Sequence, residues 1–181
     1  MSVERTEPRI SVNKLGEYLV ATPVRRRRIV ADQKRPNDFI VVRYREASDA
    51  IISFLEGGAQ DDGIIESAIC GLTDKAVSSE FQEQDRDLSI EALMSFLDIA
   101  DSISLDGFQC RRGDPEAPRL TIEGVSVSVR PEIVLIGSNR DGGNTAGLLK
   151  LYLVKSYPLT DEAGSYIGTV LQQYASQHLS D

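Results

Sequence analysis

Between Arg119 and Lys155 the chain changes its hydrophobic rhythm. Val125-Ser126-Val127-Ser128-Val129 alternates apolar and polar side chains with period two, the pattern of a half-buried strand. Ile133-Val134-Leu135-Ile136 is apolar without a break and predicts a strand covered on both faces. Leu120-Thr121-Ile122 gives a further strand before this pair, and residues 147–155 give one after it. Residues 108–111 add a short strand upstream. Gly124 interrupts the alternation and marks a tight turn or a bulge, while residues 138–145, with Asp141-Gly142-Gly143, form a predicted hairpin loop.

On either side of this block the period is helical. Ser11 caps a short helix whose Val12, Leu15 and Leu19 share a face, and residues 1–10 are expected to fray. Thr22-Pro23 opens a second helix that ends near Lys34, before Pro36. Asn37 or Asp38 caps a third, with Ile40, Tyr44, Ala47, Ile51 and Phe54/Leu55 as its core stripe and Gly57-Gly58 as its stop. A short apolar helix is predicted over 64–72. Residues 73–88 are charged and weakly periodic, and a helix from Ser89 turns Ile90, Leu93, Phe96, Leu97 and Ala100 inward. Thr160 caps the last helix, with Ala163, Ile167, Val170/Leu171 and Tyr174 as its stripe. The order implies an α+β fold: N-terminal helices, a three- or four-stranded mostly antiparallel sheet, and a C-terminal helix. A helical part (1–104, with a basic end over 1–46) and a sheet-plus-helix part (105–181) are expected to pack as one domain.

Composition narrows the function classes. Hydrophobic content of 41% and charged content of 27% are those of an ordinary globular protein, with no apolar run long enough to span a membrane and no apolar leader. Cys70 and Cys110 lie too far apart in sequence for a metal clip and fit two free thiols in a reducing compartment, so a cytoplasmic location is expected. The net charge of −8 is unevenly spread. Residues 1–46 hold eleven Lys/Arg against six Asp/Glu, and the remainder nine against twenty-two. A basic end on an acidic body can dock on phosphates or on an acidic protein partner.

Few residues carry a chemical signal. His178 is the sole histidine and stands at the end of the last helix, where a packing role competes with any role as a base. No phosphate-loop sequence follows a strand. In Arg25-Arg26-Arg27-Arg28, steps of about 100° spread the side chains around the helix, so that the four cannot all face one surface, although Arg25 and Arg28 can share a side. These two are the candidate nucleic-acid contacts; a solvated or acid-paired helix is the alternative.

Pro131-Glu132 opens the buried strand, and Lys150 and Lys155 lie on the strand after the hairpin. A carboxylate at one strand start with a lysine on the neighbouring strand is the arrangement in which a metal-dependent nuclease holds Mg²⁺ and orients water. Here the chain resembles the RecB-like branch of the PD-(D/E)XK nuclease superfamily. The resemblance implies Glu132 as metal ligand and catalytic carboxylate, Lys150 or Lys155 as the motif lysine, and Gln173 or Tyr174 at the helix Gln/Tyr position. It places Glu46 or Glu56 as the upstream acid. The position two before the lysine, acidic in the family, is Leu148 or Leu153 here, so Glu132 is a lone carboxylate. The family's last strand would follow Asp181 and is expected to be absent or supplied by another chain. Two functions follow as expectations. One is a degenerate nuclease-like protein that binds nucleic acid or a nucleoprotein partner, with cleavage weak or lost. The other is a non-enzymatic subunit of a homo- or hetero-oligomer, joined through an open sheet edge.

Overall fold

Four hydroxyl side chains set helix starts in this protein. Ser11, Thr22, Ser79 and Thr160 each accept a hydrogen bond from the backbone N–H three residues on, satisfying a donor that the first helical turn leaves without a partner. The computed structural model describes residues 5–35, 43–105, 107–138 and 143–179. In chain order the elements are β1 (Arg9–Ser11), α1 (Val12–Val20), α2 (Pro23–Lys34), α3 (Arg45–Glu56), α4 (Gly63–Thr73), α5 (Glu80–Ala100), β2 (Phe108–Arg112), β3 (Leu120–Ile122), β4 (Val125–Ser128), β5 (Ile133–Ser138), β6 (Asn144–Leu149) and α6 (Asp161–His178). The architecture is α+β with a C-terminal helix, as the periodicity predicts. No helix among the described residues is long and apolar enough to cross a membrane.

The strands form two three-stranded sheets rather than one: β1-β4-β3 and β2-β5-β6. Three of the four pairings are antiparallel, and only β1 with β4 is parallel. The chain divides into two compact units that draw on distant stretches of sequence. Unit 1 comprises residues 1–41, 113–131 and 154–181; unit 2 comprises 42–112 and 132–153.

Unit 1 contains β1, α1, α2, β3, β4 and α6. The register pairs Ile10 and Leu120 with Val127, so one sheet face carries an apolar row in which Leu120 and Val127 are 1% exposed. Val12, Ile29, Val129, Ala163, Ile167, Val170 and Tyr174 are also buried in this unit. Helices α1 and α6 pack so closely at Gly16 that a Cβ there would stand 2.7 Å from Ile167 Cγ1. At the edge of the unit, a Cβ on Gly113 would collide with the Pro131 carbonyl, so the arriving and departing chains lie side by side. Arg9 and Ile10, within the stretch expected to fray, belong to β1: Ser126 N–H donates to Pro8 O (2.9 Å) and extends the pairing.

Unit 2 contains α3, α4, α5 and the sheet β2-β5-β6. Its core is built on the third helix's stripe: Ala47, Ile51, Phe54 and Leu55 are all at most 1% exposed, and each large one stabilises by about 1.5–3 kcal/mol relative to exposure. Phe54 meets Phe96 edge-on, with ring centroids 5.5 Å apart. The expected caps Asn37 and Asp38 lie outside the described residues. Tyr44, the residue before α3, is left-handed at φ 61°, and its N–H donates to Asp85 Oδ1 of α5 (3.0 Å). Helix α5 itself begins at Glu80 rather than Ser89, because Ser79 caps it and Glu80 and Glu83 favour its first turn. Strand β6 stops at Leu149, not Lys155.

Candidate functional site

The β5–β6 ladder ends with Ile133 opposite Leu149, so Glu132 and Lys150 are the next cross-strand pair. Glu132 N–H donates to Leu149 O (2.9 Å), Lys150 Nζ donates to Glu132 Oε1 (2.6 Å), and Leu151 N–H donates to Glu132 Oε2 (2.7 Å). Their side chains are 21% and 13% exposed. Both carboxylate oxygens therefore already accept a hydrogen bond, one from the ammonium and one from the backbone. Glu132 thus staples the first residues beyond β6 to the start of β5. Among the described residues there is no group of three His, Cys, Asp or Glu side chains able to hold a metal ion.

The other residues of the expected nuclease set have their own surroundings. Lys155 is exposed in a turn of unit 1, after the end of β6, so the strand alternation that would aim it does not operate. Glu46 pairs with Lys75, and Glu56 accepts from both the backbone N–H and the Nε of Arg112 (3.1 and 3.4 Å). On α6, Gln173 is exposed, while Tyr174 is 4% exposed with its ring 4.7 Å from that of His178.

The arginine run is mostly spent on structure. Glu17, 7% exposed on α1, accepts from Lys14 Nζ (2.5 Å) and Arg25 Nε (2.6 Å). Burial pushes the Glu17 carboxyl up, but the hydrogen bonds and charges of Lys14 and Arg25 hold it below the usual carboxylate range. The Arg25 guanidinium also lies 4.0 Å over the Tyr157 ring. Arg26 caps the end of α1 by donating to Tyr18 O (2.9 Å) and Leu19 O (2.6 Å). Arg27 turns back on Pro23 O (3.3 Å). Of the two candidate contacts, Arg25 is held in this network, and Arg28 is exposed without an ion-pair partner among the described residues.

A different basic constellation lies on the sheet β1-β4-β3. Opposite its apolar face, the register sets Arg9 and Thr121 beside Ser126, and Ser11 beside Ser128. Arg119 precedes Leu120 and, by alternation, joins this hydroxyl-bearing face. Arg130 follows buried Val129 at the end of the same strand run, in left-handed backbone at φ 44°. Arg9 feels desolvation first and then the charges of Arg5, Arg119 and Arg130, and all four effects lower its pKa. Arg5, Arg119 and Arg130 thus lie within electrostatic reach of Arg9, which stands on a face bearing four hydroxyls. Sequence reading passed over this cluster because its members are far apart in the chain, although Arg9 and Arg130 each extend the polar phase of an alternating run.

No family model, curated protein or solved structure matches this chain.

Proposed function

We propose that this chain binds nucleic acid, through phosphate contacts made by the hydroxyl-bearing face of β1-β4-β3. The observation that carries the reading is the register that sets Arg9 beside Ser126 and Thr121 on this face, with Arg5, Arg119 and Arg130 close enough for their charges to act on Arg9. Guanidiniums and hydroxyls are the donors that phosphate oxygens select, and a cluster whose members repel one another gains most from a polyanion that neutralises them together. Charge is divided in the same sense. Unit 1 holds twelve Lys/Arg against eleven Asp/Glu, and unit 2 holds eight against seventeen, which directs a phosphate backbone to unit 1. In this reading the nuclease resemblance is carried as binding without cleavage: Glu132 and Lys150 act as a sheet staple, since the carboxylate's oxygens are already engaged. The interaction-subunit reading draws on the three-stranded sheets, whose outer strands leave edges for another chain to pair.

Fluorescence anisotropy with labelled single-stranded and duplex oligonucleotides over a salt series tests the proposal. Binding that weakens linearly in log salt is expected, with the slope reduced by about one for each of Arg9→Ala and Arg119→Ala. A chain that binds neither oligonucleotide at low salt, or variants with an unchanged slope, would reject it.

A further inference from the structure

A second feature of unit 1 has its own chemistry. Between β1, α1 and α2 lies a cavity of about 300 Å³, at the small end of the range for ligand pockets. Its walls are apolar: Ile10 and Val125 from the inner face of the sheet, Leu15 and Tyr18 one turn apart on α1, and Val30 on α2. Val30 keeps 42% of its surface exposed although it is aliphatic. The cavity boundary also includes Arg5, Arg9 and Lys34, against one acid, Glu7. Arg5 N–H donates to Lys34 O (2.9 Å), which ties the N-terminal wall to the end of α2 and fixes this rim.

An apolar chamber with three cations and one anion at its boundary suits a molecule with an aliphatic body and a single negative head. The body recovers the free energy of removing apolar surface from water, and the head accepts charge-assisted hydrogen bonds. A nucleobase fits this lining less well. Gln33 is the only side-chain amide in it, and the Tyr18 ring already has the Arg26 guanidinium 5.4 Å from its centroid. We infer that this cavity is a binding site for a small aliphatic carboxylate, with the chain against Ile10, Leu15, Val30 and Val125 and the carboxylate at Arg5 and Lys34.

Methyl-resolved NMR titration of the full chain with octanoate, and separately with octanol, tests this site. Octanoate is expected to shift the Ile10, Leu15, Val30 and Val125 methyls saturably. Octanol should bind about tenfold more weakly, through the loss of the charged contacts. Val30→Trp fills the chamber from its exposed side and should abolish the shifts, and Lys34→Glu, at an exposed position, should weaken octanoate but not octanol. Equal affinity for the two ligands, shifts at methyls elsewhere, or undiminished binding by Val30→Trp would overturn the assignment. Val30→Trp is charge-neutral and lies off the arginine-bearing sheet face, so oligonucleotide binding by this variant reports on that face separately.

Discussion

Glu132 and Lys150 face each other one step beyond the last registered pair of β5 and β6, joined Nζ to Oε1 at 2.6 Å while Oε2 takes the Leu151 N–H. The pair closes the open end of a three-stranded sheet, and no group of three metal-ligating side chains forms around its carboxylate among the described residues. Glu132→Gln keeps the shape but removes the charge opposite a mostly buried lysine. A double-mutant cycle with Lys150→Met, followed by urea unfolding, should give a coupling of about 1 kcal/mol. Oligonucleotide affinity should stay at the wild-type value; a loss of binding in Glu132→Gln would return this pair to the functional site.

The Glu17 network makes stability depend on pH. Its carboxyl is held below the usual range in the folded protein, so its stabilisation is complete above the unfolded-state pKa and is lost as pH falls through the folded one. Thermal midpoints should therefore decline as acidification carries the solution through and below the ordinary carboxylate range. Glu17→Gln should melt lower at neutral pH and decline less steeply with acid. Parallel profiles for the two proteins would show that Glu17 contributes nothing to the acid limb.

Gly16 and Gly168 should respond to alanine with opposite signs. Both are helical, and helix propensity alone favours alanine by about 1 kcal/mol. At Gly168 nothing lies within 4 Å of the added Cβ, so Gly168→Ala should stabilise by roughly 0.5–1 kcal/mol. At Gly16 the added Cβ stands 2.7 Å from Ile167 Cγ1 and 3.0 Å from the Ala163 carbonyl oxygen, and separating α1 from α6 should cost about 1–3 kcal/mol. Chemical denaturation of the two variants decides both signs.

The two thiols should alkylate at different rates. Cys70 is exposed on α4, whereas Cys110 lies half-buried in β2, where burial first and the Glu56 charge second push its pKa up. Because the thiolate is the nucleophile, iodoacetamide at pH 8 should label Cys70 first, as read by mass spectrometry. Glu56→Gln should raise the rate at Cys110; an unchanged rate would leave burial as the sole cause.

Local features were legible in the sequence because their causes are local. Ser11, Thr22 and Thr160 cap helices through their own side chains, and the Val/Ser alternation of 125–129 sets inner and outer faces before any partner strand is known. Where periodicity was weak the reading fell short: α5 starts at Glu80 because Ser79 caps a turn with few apolar positions. The sequence set Glu132 against Lys150 or Lys155 on the adjoining strand without choosing between them; the choice of Lys150 and its closed hydrogen-bonding state came from the fold.

By itself the sequence determined the α+β class, the caps of three helices, the core stripes of α3, α5 and α6, the two faces of 125–129 and the imbalance of charge along the chain. Leu19 and Ile136, read as covered, are exposed because no described element packs over them. Only the tertiary structure decided that the strands divide into two sheets and that each unit draws on distant stretches of sequence. The same structure engaged Arg25 with Glu17 and brought Arg119 and Arg130 within electrostatic reach of Arg9. The physical reason is that capping and alternation act over a few residues. Strand partnership, and the meeting of charges that it forces, depend on which apolar faces find each other across more than a hundred residues of chain.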